Sequence, residues 1–395
     1  MRQIVEDTPP SSIHGDDISE MEEDILDLEE LEEVELDDED LMEEDEARDV
    51  EDNAQLVFRK HDGSVFCCDL HPSGKVAVTG GEDDKAYVWN VNTGDIIMEC
   101  GGHKDSVMFV GFSFDGIYLA TADLSGMIKV WKCNLDDNQQ WIVEFEYESE
   151  DLTWGFWHFA ARVLICGAAS GDIYVFKIPS GEIKLLQGQN IKVECGKLLT
   201  DGVRLVAGYE NGSVKLWDIK ACTVLHQIPP GVHNGLITAV DVDPDNNVIV
   251  SISTEGKAVI MTSHNGKIVG HLETDDELET VTFSKDPKLG YLALGTLKGS
   301  VSIWDVAKRM VRHQCAKSDE EAGVTKMIWI ENNLVTGCLD GCLRVYEGKS
   351  GERNFLLSGH TSEILDFCYN AQENILLTTS SDKTARIFKY DINKN

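Results

Sequence analysis

Short apolar runs alternate with polar turns along most of this 395-residue chain, and one such run recurs at a nearly constant spacing. Each copy is a β-type run that ends in an aromatic residue followed by a polar one. The copies end at Trp89–Asn90, Trp131–Lys132, Phe176–Lys177, Trp217–Asp218, Trp304–Asp305, Tyr346–Glu347 and Phe388–Lys389, with a weaker copy at Met261–Thr262. Successive copies lie 42, 45, 41, 44, 43, 42 and 42 residues apart. A repeat of about 40–45 residues with this ending is typical of a β-propeller with four strands in each blade.

The interior of each copy supports the same interpretation. The first copy divides into the strand SVFCCDL, the turn HPSGK, the strand VAVTG, the turn GEDDK and the strand YVW. The last copy divides in the same way. Turn residues that separate short β-branched runs are the pattern of an all-β meander, so the fold class predicted is all-β.

Eight copies predict eight blades, although the chain has too few residues after Phe388 to form another strand and turn. We expect the segment AQLVFRKH before His61 to supply the missing strand, so that the first strand and the last three form one blade. Such closure leaves no unpaired strand edges in the ring. Seven blades with one irregular hairpin near Met261 is the alternative.

Several of these residues resemble the WD40-repeat family. The resemblance rests on Gly102–His103, Gly359–His360, Trp217–Asp218 and Trp304–Asp305. In that family a His, an Asp, a Ser or Thr and a Trp form a buried hydrogen-bonded network within one blade. The resemblance therefore implies a structural network of His61, Thr79, Asp83 and Trp89 in the first copy, and of His360, Thr378 and Asp382 in the last.

Four copies depart from the family pattern. The third, fourth and sixth lack the Gly-His pair, and the fifth has Met261 in place of the aromatic residue. We expect apolar packing alone to hold these blades together.

The net charge of −37 is concentrated at the start of the chain. Residues 1–52 contain 25 Asp and Glu but only two Arg, and they have no aromatic residue. Such a segment buries too little apolar surface to offset the loss of chain entropy. The predicted organisation is an acidic disordered tail at residues 1–53 and a propeller at residues 54–395.

This charge and the absence of certain motifs exclude several classes of function. Strong negative charge opposes nucleic acid and anionic membranes and favours a basic partner. The sequence has no apolar run long enough for a membrane span and no secretory signal, so we expect a cytoplasmic monomer that also enters the nucleus in some settings. It has no phosphate-binding loop, HExxH or G-x-S-x-G motif, and no Cys-x-x-Cys pair. We expect no enzyme activity, no cofactor and no metal.

The loops that lead into each first strand, and those between the second and third strands, are rich in acids. In a propeller these loops meet at one face, where they would form a negative basin for a cationic segment. The candidate client-binding acids are Asp62, Glu82, Asp84, Asp105, Asp123, Asp151, Glu194, Glu210, Glu255, Glu279, Glu321 and Glu363. Trp154 is either a core residue or an aromatic anchor at the channel mouth.

Longer stretches resemble one family of WD40 proteins, that of angio-associated migratory cell protein. They are VAVTGGEDDKAYVW, GHKDSV, GYENGSVKLWDIK and GHTSEILDF, which follow the acidic segment. The resemblance implies a dedicated chaperone that holds the basic segment of a newly made large-subunit ribosomal protein on an acidic narrow face. Two alternatives stay open: a scaffold in cell migration, angiogenesis and receptor or small-GTPase signalling, and a chaperone of another basic client such as histones.

Overall fold

A computed structural model describes residues 51–134, 140–286, 289–316 and 322–390. Residues 1–50, which hold nearly all of the predicted acidic tail, lie outside the described residues. So does Glu321, one of the candidate client-binding acids.

The described strands form eight antiparallel sheets of four strands each. Strand β1 spans Leu56–Phe58. Blade 1 contains β2 (Val65–Leu70), β3 (Val76–Gly81), β4 (Ala86–Asn90) and β5 (Ile96–Cys100). Blade 2 contains β6 (Val107–Phe112), β7 (Tyr118–Asp123), β8 (Met127–Asn134) and β9 (Gln140–Glu148). Blade 3 contains β10 (Leu152–Trp157), β11 (Val163–Ala168), β12 (Ile173–Lys177) and β13 (Glu182–Leu186). Blade 4 contains β14 (Val193–Leu198), β15 (Arg204–Tyr209), β16 (Val214–Asp218) and β17 (Thr223–Ile228).

The second half of the ring repeats this arrangement. Blade 5 contains β18 (Ile237–Val242), β19 (Val248–Ser253), β20 (Lys257–Thr262) and β21 (Ile268–Glu273). Blade 6 contains β22 (Leu278–Phe283), β23 (Tyr291–Thr296), β24 (Val301–Asp305) and β25 (Met310–Gln314). Blade 7 contains β26 (Val324–Ile330), β27 (Asn333–Cys338), β28 (Leu343–Glu347) and β29 (Arg353–Leu357). Blade 8 contains β30 (Ile364–Asn370), β31 (Ile375–Ser380) and β32 (Ala385–Lys389), with β1 as its outer strand.

The ring is closed by noncovalent pairing between the two ends of the propeller. The first strand of each blade is innermost and packs against the first strand of the next, and β30 packs against β2. Strand β1 pairs antiparallel with β32, with Phe58 opposite Ala385. The Phe58 ring then stacks on Trp89 of blade 1 at a centroid distance of 4.6 Å, so β1 joins blade 8 to blade 1. The predictions of eight blades and of this closure are confirmed, and the alternative of seven blades is wrong.

The polypeptide just before β1 adds polar contacts to the same seam. The Asp52 carboxylate pairs with the Arg386 guanidinium of β32. The backbone N–H of Asn53 donates to the Ser358 carbonyl, and the Ser358 hydroxyl donates to the Glu51 carbonyl. Contacts with the propeller therefore begin at Glu51, three residues before its predicted start.

The hydrophobic core lies between adjacent blades rather than within any one of them. Val78 and Val88 of blade 1, for example, pack in one buried cluster with Val110, Phe112 and Trp131 of blade 2. Alternating side chains on each strand point to opposite faces of the sheet, so each blade can bury apolar groups against both neighbours. The blade around Met261 follows this rule, with Met261 fully buried in place of an aromatic residue.

Candidate functional site

Blades 1 and 8 each contain a buried network centred on one histidine. His61 Nε2 lies 3.0 Å from Thr79 Oγ1, and His61 Nδ1 lies 2.9 Å from Asp83 Oδ1. The Trp89 indole N–H donates to the same Thr79 hydroxyl at 3.3 Å. The structure thus brings together the four residues predicted for the first copy.

The network of blade 8 adds an arginine. His360 lies 2.7 Å from Thr378 Oγ1 and 2.9 Å from Asp382 Oδ2. Arg386 is buried beside both His360 and Asp382. Burial by itself would raise the pKa of Asp382, but the hydrogen bond and charge of His360 and the hydrogen bonds from Thr384 and the Thr361 backbone outweigh it and lower that pKa. Asp382 is therefore held as a carboxylate.

Blade 2 has a complete network that corrects one candidate binding residue. Asp123 is fully buried, and its carboxylate lies 3.2 Å from His103 Nδ1. It also accepts hydrogen bonds from the backbone N–H groups of Lys104 and Met127 and from the Ser125 hydroxyl. Because these contacts occupy both oxygens, Asp123 is a structural residue of the blade and does not face a client.

Blade 5 contains a fourth network, which the sequence pattern did not predict. His233 Nε2 lies 2.8 Å from Ser251 Oγ, and Nδ1 lies 3.0 Å from Ser253 Oγ. In blades 4 and 6 the tryptophan N–H groups also have polar partners: Trp217 donates to the Tyr209 hydroxyl, and Trp304 donates to the Ser302 hydroxyl. The expectation that apolar packing alone holds blades 4, 5 and 6 is therefore wrong.

A spacing rule in the sequence could have identified these networks. Each network histidine lies four residues before the innermost strand of its blade, and its Ser or Thr partner follows 18 residues later. The pairs are His61 and Thr79, His103 and Thr121, His233 and Ser251, and His360 and Thr378. The acidic partner shifts by two residues between blades, which made Asp123 resemble a free loop acid.

The two kinds of acid-rich loop meet at one end of the channel. In all eight blades, the first residue of the turn between strands two and three donates its backbone N–H to the carbonyl of the residue before the innermost strand. Glu82 bonds to Ser64 in this way, and Glu210 bonds to Lys192. Because the innermost strands surround the channel, these paired positions form a ring around its mouth. We call this ring and the two sets of loops the mouth face.

The third residue of the same turn has a left-handed backbone conformation in every blade. Six blades place a glycine there, with φ between 77° and 88°. A left-handed conformation is readily adopted by glycine and tolerated by Asp. Asp84 occupies the position in blade 1 with φ of 59°, and its carboxylate is exposed.

Most of the predicted acids in the described part of the chain lie on the mouth face with their side chains at least partly in solvent. These are Asp62, Glu82, Asp84, Asp105, Asp151, Glu194, Glu210, Glu255 and Glu363. Two of them also join neighbouring loops: Glu82 accepts the Ser64 N–H, and Glu255 accepts the Asn234 N–H. Among the described residues, Asp105 accepts only the N–H of the adjacent Ser106. The bond from the Ser64 N–H is the largest cause that lowers the pKa of the Glu82 carboxyl. Burial by itself would raise the pKa of Glu255, but the bond from the Asn234 N–H is the main cause that lowers it.

A cleft of about 430 Å³ brings together three of the predicted acids from three consecutive blades. Asp105, Asp151 and Glu194 line it, together with the apolar side chains of Met108 and Leu124. Lys192 also lines the cleft, with Nζ 3.0 Å from Glu194 Oε2. The cleft carries three carboxylates and one lysine, so its net charge is negative.

Other lysines reduce the charge of the mouth face without cancelling it. Lys104 pairs with Glu148 at 2.7 Å, and Lys298 pairs with Asp276 at 3.7 Å. Among predicted acids within the described ranges, Glu194 alone has a side-chain nitrogen of lysine or arginine within 4.0 Å. The face therefore keeps several carboxylates for a cationic partner.

Two further acids lie on the innermost strands. Glu279 follows the first residue of β22, as Glu194 follows that of β14, and its side chain is exposed. Partial desolvation and then the charge of Glu277 raise its pKa. In blade 1, burial raises the pKa of Asp69 to about 6, although Asp69 accepts hydrogen bonds from the backbone of Phe112 and Leu70. Asp69 thereby links blade 1 to blade 2.

Trp154 is mainly a packing residue. Its ring stacks on Phe156 at 5.4 Å and lies against Gly167 and Gly196, where a Cβ would come within 2.4 and 2.5 Å of the indole. Its indole N–H is buried, with no hydrogen-bond partner in the described part of the protein. The ring thus fills the space between blades 3 and 4.

The described residues contain no group of three or more His, Cys, Asp or Glu side chains placed to hold a metal ion. Within the same ranges there is no helix long and apolar enough to cross a membrane.

Comparison with known proteins identifies the family. Three segments, residues 53–90, 94–132 and 351–389, match the model of the WD domain, G-beta repeat. The chain is 36% identical over 355 residues to angio-associated migratory cell protein of Homo sapiens. The aligned region covers 85% of this chain and 80% of that protein. The chain belongs to the angio-associated migratory cell protein family.

The chain is also similar to ribosome assembly protein SQT1 of Saccharomyces cerevisiae, with 24% identity over 370 residues. The aligned region covers 84% of each protein. The solved structure of Chaetomium thermophilum Sqt1 bound to the N-terminus of the ribosomal protein L10 has a TM-score of 0.79 with this chain. That structure is 21% identical and covers 86% of this chain and 100% of its own, which shows a shared fold.

The segments that match the WD repeat model are blades with a histidine network. They contain His61, His103 and His360 with their threonine partners. Blade 5 of this family member replaces the threonine with Ser251 and the tryptophan with Met261, and it lies outside the matched segments.

Proposed function

We propose that this protein is a non-enzymatic chaperone that captures the basic segment of a newly made large-subunit ribosomal protein on its mouth face and so supports ribosome assembly. The observation that carries the proposal is the cleft in which Asp105, Asp151 and Glu194 converge from three blades. Carboxylates in such a site make charge-assisted hydrogen bonds with Arg and Lys side chains.

The relatives support the identity of the client. The Saccharomyces cerevisiae relative is named a ribosome assembly protein, and a solved neighbour holds the N-terminus of ribosomal protein L10. The proposed client is accordingly a ribosomal protein with a basic terminal segment, bound in the cytoplasm before it joins RNA. Neither nucleic acid nor a membrane fits the negative face as a direct partner.

The charge of the face predicts how capture depends on salt. Exposed charges interact over roughly 8–10 Å at physiological ionic strength, so added salt weakens capture steeply. A complex that is indifferent to salt would instead point to apolar contacts.

Purification of nascent chains tests the proposed client. The tagged protein is isolated from cells together with translating ribosomes, and the attached messages are sequenced. We expect strong enrichment of one large-subunit ribosomal-protein message. A spread of signalling partners without a nascent client would favour the scaffold function, and enrichment of histone messages would favour another basic client.

A further inference from the structure

Blade 6 lacks the histidine network, and the space that the network fills in blade 1 is open. Thr274 lies four residues before Leu278, as His61 lies four residues before Val65. The Thr274 hydroxyl bonds to the Gly256 and Asp276 carbonyls, so it ties its loop to the neighbouring turn of blade 5 instead of reaching into blade 6.

A second difference between blade 6 and blade 1 enlarges this open space. The strand registers place Ser302 of blade 6 where blade 1 has Tyr87, because Ser302 pairs with Gln314 as Tyr87 pairs with Glu99. In blade 1 the rings of His61 and Tyr87 are in edge contact at 4.9 Å. Blade 6 therefore has neither of the two rings that close this region.

The result is a cavity of about 440 Å³ that opens among the mouth loops between blades 5 and 6. Its wall includes Trp304 and the buried hydroxyl groups of Thr296 and Ser302. Three carboxylates, Glu273, Asp275 and Asp276, lie at its edge. The cavity thus combines hydrogen-bond acceptors, negative charge and an aromatic surface.

We infer that this cavity is a pocket for one arginine side chain of the basic client; the inference rests on the proposed function. A guanidinium presents five N–H donors in one plane, pairs with carboxylates through two parallel hydrogen bonds, and stacks on aromatic rings. A lysine ammonium is a point charge and matches only the carboxylates. The pocket therefore discriminates arginine from lysine.

Lys298 is the one cation in the wall of this pocket, with Nζ 3.7 Å from Asp276 Oδ1. Its side chain is 65% exposed, so it can turn into solvent when a guanidinium takes its place beside Asp276. Each Asp276 oxygen already accepts one backbone N–H, from Lys298 or Glu277, but unlike Asp123 this carboxylate is partly exposed and each oxygen can accept a further bond. Asp275 has its carboxylate exposed and adds to the attraction.

Filling the pocket tests the inference. The double variant Thr274→His with Ser302→Tyr installs in blade 6 the two rings that blade 1 already holds. The probes are a short peptide of alternating arginine and alanine and its lysine counterpart, measured by calorimetry on the full chain. We expect the unmodified protein to bind the arginine peptide roughly tenfold or more tightly than the lysine peptide. The filled variant should stay folded, with a lower Tm because Ser302 no longer accepts the Trp304 N–H, and should bind both peptides equally.

The outcomes separate this inference from the proposed function. A folded, filled variant that keeps the full arginine preference would overturn the pocket, as would an unmodified protein that binds both peptides equally. If the filled variant does not fold, the variant Asp275→Asn with Asp276→Asn takes its place. This variant should lose the arginine preference, and keeping the full preference would overturn the pocket. Failure of the unmodified protein to bind either peptide would overturn the proposed function itself.

Discussion

Blades with a histidine network and blades without one differ in how they fill the space beneath the mouth loops. In blade 1, His61 and Tyr87 close this space, and Asp83 accepts the Asp62 N–H, so the turn and the loop are held together. In blade 6 the equivalent space is a cavity. The same backbone topology thus serves as a rigid support in one place and as a candidate recognition site in another.

The difference follows from the cost of burying polar groups. A buried His and Asp are tolerated only when each polar atom has a partner, so the network is retained as a set or replaced as a set. Blade 6 replaces the set with hydroxyl groups, which need fewer partners and occupy less volume.

Removal of the acid from a network should have the largest effect on stability. Asp382→Ala would leave the buried His360 without its carboxylate and Arg386 with Asp52 alone, and loss of one partner of a buried pair costs about 3–5 kcal/mol. Urea unfolding should show this decrease in the free energy of unfolding. The matched control is Asp95→Ala, at an exposed acid, which should change little. Equal effects of the two substitutions would show that the network does not support the ring.

The histidine of blade 5 should make stability depend on pH. Burial is the main cause that lowers the pKa of His233 to about 4, against the raising effect of Glu255. The unfolded chain takes up a proton near pH 6.5, and the folded chain does so only near pH 4. The free energy of unfolding should therefore fall by about 3 kcal/mol as pH is lowered from about 6.5 to 4.

The variant His233→Gln, which does not titrate, isolates this effect. The difference in free energy of unfolding between wild type and variant should shrink as the pH is lowered through that range. A difference that stays constant with pH would contradict the assignment of a neutral, buried His233.

The smallest effect is expected in a blade without the network. Ser302→Ala removes the acceptor of the Trp304 N–H and should cost about 1 kcal/mol, as for one hydrogen bond. Thr79→Ala in blade 1 removes the partner of both His61 and Trp89 and should cost more. If thermal unfolding gives the same loss for both, the two kinds of blade do not differ in the way described.

The fold could be predicted largely from the sequence, because the aromatic residue that ends each third strand recurs every 41–45 residues. The closure by β1 also followed from the short C-terminal remainder. The networks of blades 1 and 8 were recognisable because His, Thr and Asp occur there at the usual spacing. His233 was missed because its partners are serines and its blade has Met261.

The site was less predictable because loop position alone does not report burial. Asp123 and Asp151 both occur beside mouth loops, yet the first is enclosed by backbone donors and the second lines the cleft. The pocket of blade 6 arises from two small residues, Thr274 and Ser302, that are 28 positions apart and meet only in the folded blade. No local pattern signals such a cavity.

The most direct test compares charge reversal on two faces. One variant carries lysine at Asp105, Asp151 and Glu210 of the mouth face, and its control carries lysine at Asp95, Asp245 and Glu352 on turns at the opposite end of the blades. Glu82 is left unchanged because its bond from the Ser64 N–H joins two loops, whereas Asp105, in the part of the chain described, bonds only the adjacent Ser106. The two variants have the same net charge.

Calorimetry with the arginine–alanine peptide should show that the mouth-face variant loses affinity by roughly a hundredfold or more, whereas the control loses only a few-fold and both keep the Tm of the wild type. Equal losses in the two variants would mean that total charge, and not the mouth face, attracts the client.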